Sequence, residues 1–372
     1  PFSHSLSSDA ESKLLGFSNS ENISIAVLVL VCNRITITRT LDQLLKYRPS
    51  VERFPIVVSH DCGEMGNEVK EILDEQYGKN ISHHITVRNA LKHPNYQKIK
   101  SKLANVPLHM RPYYHIAEHY GWALGQVFNS LAFDNVIIVE DDLDIASDFF
   151  EYFEATLPLL QQDPTLYCVS AYNDNGKPEL IDILSPSLLF RTDFFPGLGW
   201  MMTKRLWKEL EHKWPYSFWD DWMRDKRQRR GRACIHPEIS RTKTFGRMGA
   251  SNGQFYDVYL KTIMLDQKYV AFKSLDLSYL LQRNYDKVFL DHVNLSIPIR
   301  EFDDLSKEIK RSKNPKESFR LPYTDETEFN MLADSVGIMR DFKDGVPRNG
   351  YMGIVPVIYQ RRRVYLVPST FE

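Results

Sequence analysis

The sequence predicts an α/β fold built on a mainly parallel sheet, and three observations carry that expectation. Continuous apolar runs typical of buried strands alternate with segments of helical periodicity. Charged clusters follow three of those runs directly, at the strand ends where open parallel sheets gather their ligands. The 372-residue chain, 43% hydrophobic and 26% charged, can bury a large core.

The elements follow in order. Residues 1–22 are rich in Ser, Asn and Glu without apolar periodicity, as a flexible stem remnant would be. Ile25–Cys32 reads as a fully buried strand and Thr36–Tyr47 as a helix with Leu41, Leu44 and Leu45 on one face. Phe54–Ser59, Asn67–Tyr77 and Ile81–Val87 continue as strand, helix and strand. Pro112 can open a helix reaching Leu131, with an apolar stripe of Ile116, Tyr120, Ala123, Leu124, Val127 and Phe128. Asn135–Val139 is another strand, after which Ser147 is expected to cap a helix through Gln161. Beyond about residue 265 the alternation fades. Met352–Val367 resembles a hairpin with Arg361–Arg363 near its turn.

Bulk properties exclude several classes. A net charge of -1 speaks against a nucleic-acid binder, which needs a persistent positive surface. The longest apolar run, Ile25–Cys32, is far too short to span a bilayer. No G-x-G-x-x-G or Walker pattern follows the first strand. The four cysteines, Cys32, Cys62, Cys168 and Cys234, contain no C-x-x-C pair; two disulfides and four buried thiols both fit their number. Sequons starting at Asn22, Asn80 and Asn294 tilt towards the secretory pathway. Pro1 is no natural start, which fits either a removed anchor or a trimmed N-terminus.

Chemistry concentrates in a few places. Glu140-Asp141-Asp142 crowds three carboxylates at a strand end, which is unfavourable unless a cation or donors compensate. Oxygen-only ligation suits Mg²⁺ or Mn²⁺ together with phosphate oxygens; a merely solvated acidic turn is the competing reading. Phe218-Trp219-Asp220-Asp221-Trp222 surrounds carboxylates with aromatics that can exclude water and face a sugar, as a general base would need. The alternative is a surface helix start with inward tryptophans. His115-Ile116-Ala117-Glu118-His119 matches H-x-x-E-H, so a zinc peptidase using His115 and His119 is a rival reading, although a third ligand is missing. Arg247–Gly253 reads as a glycine loop whose backbone and Ser251 could approach phosphate. The basic run Arg224–Arg232 reads as a solvated face.

Together these stretches resemble the alpha-1,3-mannosyl-glycoprotein 2-beta-N-acetylglucosaminyltransferases, the N-acetylglucosaminyltransferase I family. The resemblance rests on LLKYRPSVERFPIVVSHDCG, WALGQVF, VEDDLDIASDFFEYFEATLPLLQQDP, CVSAYNDNGK, RTDFFPGLGW, FWDDWMR, GRACIHPEISRT and SNGQF. It covers most of residues 25–282 and returns at GVPRNGYMGIV. It implies a glycosyltransferase A fold with a smaller C-terminal domain. The division expected is a stem remnant at 1–22, a nucleotide-sugar-binding catalytic domain at 23–250, a closing loop and linker at 251–282, and the C-terminal domain at 283–372.

By similarity, Asp142 contacts Mn²⁺, Asp141 the ribose, and Arg34, Asp61 and His119 the UDP portion. Ser251 meets the diphosphate, Asp220 is the base, and Glu140, Trp219 and Leu198 lie near the donor GlcNAc. The implied disulfides are Cys32–Cys62 and Cys168–Cys234, attached beside Arg34, Asp61 and Arg232. The implied activity is inverting, metal-dependent beta-1,2 transfer of GlcNAc from UDP-GlcNAc to a mannose-terminated Man5 N-glycan. The expected location is the Golgi lumen, through an N-terminal anchor of a type II membrane protein. Asn33 stands where an acidic residue is expected, His115 and Glu118 fall outside the family pattern, and residues 283–330 match poorly. An O-mannosyl-glycan GlcNAc transferase and a non-catalytic glycan-binding module are the remaining rivals.

Overall fold

Every residue of strand β1 (Ala26–Val31) is buried, because the strand divides its side chains between two cores. Val27, Val29 and Val31 enter one hydrophobic cluster, and Ala26, Leu28 and Leu30 enter another. A strand covered on both faces has no polar side to show, which explains the continuous apolar run. The computed structural model describes residues 23–86, 103–250 and 253–371.

The first half alternates as expected: α1 (Ile37–Tyr47), β2 (Ile56–His60), α2 (Asn67–Ile72), β3 (His83–Thr86), α3 (Arg111–Gly125) and β4 (Asn135–Glu140). A short β5 (Leu143–Ile145), then α4 (Phe149–Gln162), β6 (Leu166–Ser170), β7 (Leu189–Thr192), β8 (Trp200–Thr203), α5 (Lys204–Leu210), α6 (Trp219–Arg224), β9 (Ala233–Pro237) and β10 (Thr242–Thr244) follow. The main sheet has the order β3-β2-β1-β4-β8-β6-β9-β7. Strands β1–β4, β6 and β9 run one way, while β7 and β8 oppose them. Helices α1 and α4 cover one face; α3 and α5 cover the other. This is the mainly parallel α/β architecture expected from the sequence.

Several local expectations need correction. Ser147 does not cap α4; Asp148 precedes the helix, and its carboxylate is spent on Arg241 and the Val270 amide instead. The expected long helix changes to a wider turn at Gln126–Ser130. Ile116, assigned to its apolar stripe, is 38% exposed.

The largest addition lies after residue 280. Helix α7 (Gln282–Leu295) sends Tyr285, Phe289 and Val293 into the core shared with α1 and α4. Then come β11 (Ile297–Pro298), α8 (Phe302–Arg311), β12 (Phe319–Tyr323), α9 (Glu326–Val336), β13 (Phe342–Lys343), β14 (Val346–Pro347), β15 (Val355–Tyr359) and β16 (Arg362–Pro368). A second sheet, β11-β12-β16-β15, packs under α8 and α9 with its own core. β15 and β16 form the expected hairpin, turning through Gln360 and Arg361, both at positive φ. The two units are joined by more than the chain: Leu180 enters the second core, and its carbonyl accepts from the Ile358 amide at 2.9 Å.

Two disulfides are formed, Cys32–Cys62 and Cys168–Cys234, and no described cysteine is free. The first ties together the segments leaving β1 and β2. The second joins directly paired residues of β6 and β9 across a separation of 66 residues, a loop whose closure contributes on the order of 2–4 kcal/mol. Among the described residues, no helix is long and apolar enough to cross a membrane.

Candidate active site

Register brings the expected site residues to one edge. Val31 pairs with His60 and Leu30 with Glu140, so β1, β2 and β4 end nearly level. The segments leaving them carry Arg34, Asp61 and Asp141-Asp142. Arg34 Nη1 donates to Asp141 Oδ1 at 2.9 Å and forms a close ion pair with Asp142. Its Nη2 donates to the Met248 carbonyl at 2.8 Å, tying the start of the 247–250 segment to the acidic trio. Ser251, the expected diphosphate contact, lies outside the described residues.

Gly246 explains how that segment comes so close. The Phe245 amide donates to the Asp142 carbonyl at 2.9 Å, and a Cβ on Gly246 would sit 2.0 Å from Asp142 Oδ2 and 2.7 Å from Arg34 Nη1. Only glycine fits against this ion pair.

The trio is electrostatically crowded. Burial, then Asp142, Asp141 and Asp220, push the Glu140 carboxyl up to about 7, against the opposing hydrogen bond from Tyr120 (2.5 Å). Burial raises Asp141 to about 6 and also raises Asp142, with Arg34 opposing both shifts. Arg34 is raised despite its burial, because Asp141 and Asp142 favour its charge.

An acid whose folded value lies above its unfolded one destabilises the fold as pH rises between them. For Glu140 that window runs from about 4.5 to about 7. Glu140→Gln in chelator-treated, nucleotide-free protein should therefore gain stability relative to the parent across this window, by up to about 3 kcal/mol at about 1.4 kcal/mol per pH unit. Urea unfolding at pH 4.5, 6 and 8 checks it; a stability difference constant with pH would contradict the crowding.

The second part of the site is α6. Phe218 precedes it in a left-handed conformation (φ 49°, ψ 49°) and stacks on Tyr113 at 4.6 Å. Such backbone costs a non-glycine residue roughly 1–2 kcal/mol, so packing must hold it. Trp219 is buried, stacked on Tyr120 at 4.0 Å with Trp200 and Trp214 further along. The aromatics therefore form a floor beneath the carboxylates. They do not shield Asp220 from water as the sequence led us to expect: its side chain is 44% exposed. Leu198 sits between Gly197 and Gly199, all three at positive φ, and its carbonyl accepts from Thr242 Oγ1 at 2.6 Å.

His119 is buried, with its Nε2 2.8 Å from Ser59 Oγ, and burial lowers it to about 4. His115, four residues earlier, is exposed. The two do not form a joint ligand pair, and no described group of three or more His, Cys, Asp or Glu side chains converges on a metal position. The peptidase reading loses its geometry.

Arg224 corrects the basic-run reading, being only 8% exposed and paired with Asp220 and Asp221. Carboxylates three and four residues earlier were the signal that could have found it. Tyr120, Gly246 and Lys343 were likewise not singled out for the site. Tyr120 carried no signal beyond its place in an apolar stripe.

The profile of the GNT-I family matches residues 11–371. This chain belongs to the GNT-I family. It is 40% identical over 345 residues to the Arabidopsis thaliana alpha-1,3-mannosyl-glycoprotein 2-beta-N-acetylglucosaminyltransferase, covering 92% of this chain and 73% of that one. More distant likenesses include Staphylococcus aureus TarS 1–349 (14% identity, TM-score 0.36, covering 59% of this chain and 58% of that one). Another is the Pyrobaculum calidifontis mannosyltransferase PcManGT, solved with GDP-Man and Mn²⁺ (14%, TM-score 0.33, 54% and 52%). GNT-I membership extends past the second sheet, where the motif resemblance had been weakest.

Proposed function

We propose that the chain is a metal-dependent inverting glycosyltransferase that moves GlcNAc from UDP-GlcNAc, in beta-1,2 linkage, to the alpha-1,3-linked mannose of a Man5 N-glycan. GNT-I membership supports the reaction class. The carrying observation is that one side chain links the two parts of the site: Tyr120 donates to Glu140 at 2.5 Å and stacks at 4.0 Å on Trp219, the neighbour of Asp220.

The carboxylates of the strand end do not converge as a three-ligand cage, so they would offer a hard divalent cation such as Mn²⁺ only one or two oxygen ligands, as suits an ion that also takes phosphate oxygens. Asp142 would hold it, with diphosphate oxygens and water completing the shell. When bound, the ion would supply positive charge against the leaving diphosphate. The chain's own groups do the rest. Arg34 is fixed between Asp141, Asp142 and the Met248 carbonyl as a preorganised cation for the nucleotide. Asp141 would meet the ribose. His119, held neutral by burial, and Asp61 would meet the rest of the UDP portion.

Asp220, open to solvent, would take the proton from the mannose 2-hydroxyl as that oxygen attacks the anomeric carbon. UDP departs from the opposite face, so an alpha-linked donor gives a beta-linked product. Trp219, Glu140 and Leu198 would line the GlcNAc position. Two disulfides fit an oxidising compartment, and we assign the reaction to the Golgi lumen.

The test incubates the protein with UDP-GlcNAc, Mn²⁺ and a Man5 N-glycan, in parallel with an O-mannosyl peptide and with chelator. Chelator-sensitive addition of one beta-1,2 GlcNAc to Man5 is expected. Transfer only to the O-mannosyl peptide would reassign the acceptor, and glycan binding without UDP release would sink the enzymatic reading.

A further inference from the structure

The last residue of α6 faces two carboxylates at once. Arg224 Nη1 lies 2.9 Å from Asp220 Oδ2 and 2.9 Å from Asp221 Oδ1. Its Nε donates to the Phe195 carbonyl at 3.1 Å, and its guanidinium sits 4.8 Å over the Phe194 ring. Phe194 and Phe195 belong to the segment leaving β7 that continues into Gly197–Gly199. The arginine is therefore anchored from the protein interior, while the carboxylates it holds are 44% and 41% exposed.

The second observation comes from another part of the chain. Lys343, on β13, places Nζ 3.3 Å from Asp221 Oδ2, and the neighbouring Asp344 accepts from the Lys226 amide at 2.6 Å. Two cations thus meet two carboxylates. With Lys343 compensating Asp221, Arg224 need not be drawn away from Asp220. One Asp220 oxygen is held and the other is left for an acceptor hydroxyl.

We propose that Arg224 is the positioning residue for the base, fixing the Asp220 carboxylate from below while Lys343 occupies Asp221. The idea rests on the glycosyl-transfer reading above and adds how its base is aimed. A planar fork with several fixed donors can hold both aspartates and the Phe195 carbonyl together; a lysine ammonium is a compact point charge on a flexible stem and cannot reproduce that fork.

The test compares Arg224→Lys and Arg224→Ala with the parent enzyme by steady-state kinetics, UDP titration and thermal melting, with and without millimolar guanidinium ion. Misaiming a base by about 1 Å costs on the order of 10²-fold, so kcat should fall by about that factor in both variants. The KM for donor and the affinity for UDP should stay within about twofold, as expected when only transition-state alignment is lost. Guanidinium ion should restore kcat of Arg224→Ala and leave Asp220→Asn unchanged. Where Arg224→Ala does not fold, Arg224→Lys decides.

A folded Arg224→Lys with kcat near the parent's overturns the proposal. So does a kcat loss matched by an equal loss of UDP affinity and unresponsive to guanidinium, which would mark a structural role. Parent protein that transfers no GlcNAc would remove the functional reading itself, and this proposal with it. Active parent with insensitive variants removes only this one.

Discussion

Asp220→Asn should lower GlcNAc transfer by at least about 10²–10⁴-fold, the usual contribution of a positioned general base, while UDP binding stays near the parent's. The separation of effects follows from the geometry. Asp220 stands on α6 with Arg224 as its partner, whereas Arg34, which would meet the nucleotide, is held by Asp141, Asp142 and the Met248 carbonyl. The asparagine keeps the size of the side chain and an oxygen for Arg224, so folding should survive. Asp221→Asn is the natural comparison, since that carboxylate is tied to both Arg224 and Lys343 and is held below the usual range by them despite its burial. Steady-state kinetics with UDP titration reads both. Full activity in Asp220→Asn would exclude it as the base.

Asp142→Ala should act in the opposite manner, weakening Mn²⁺-dependent UDP-GlcNAc binding by at least about 10²-fold, because an ion beside a diphosphate is worth several kcal/mol. The apo protein should not lose stability with it. Asp142 adds to the crowding that raises Glu140 and Asp141, and Arg34 keeps its 2.9 Å bond to Asp141. Function lost without stability lost is the mark of a carboxylate retained for a ligand. Titration calorimetry and a thermal melt give the two halves; Mn²⁺-dependent UDP affinity equal to the parent's would remove Asp142 from the metal site.

The first half of the fold was legible because its strands are buried on both faces. β1 and β4 read as unbroken apolar runs, and the polar residues that follow them had to be at the sheet's edge. Apart from its last hairpin, the C-terminal unit was not legible, for the converse reason. β11, β13 and β14 have two residues each, β12 buries alternate side chains only, and α8 buries just Leu305 and Ile309. Local signals were present there all the same. Asp325 caps α9 through the Glu328 amide, Glu328 returns to the Thr324 amide, and Gly337 ends the helix at φ +95°.

At the site, helical spacing reports a shared face but not depth, which is why His115 and His119 looked equivalent and are not. Composition hid Arg224, since a buried arginine within a basic run differs from its neighbours only through the carboxylates it meets. Ser147 failed as a cap because the helix starts one residue later, at Phe149, and the Asp148 carboxylate at the cap position serves a buried partner, Arg241, that no local pattern announces.

The most direct test is a crystal of the protein grown with Mn²⁺ and a non-transferable UDP-GlcNAc analogue, with anomalous scattering used to find manganese. The ion should appear at Asp142, the uridine diphosphate along Arg34 and Asp61, and the GlcNAc anomeric carbon facing Asp220. Nucleotide bound elsewhere, with the Glu140-Asp141-Asp142 edge empty of metal, would contradict the account.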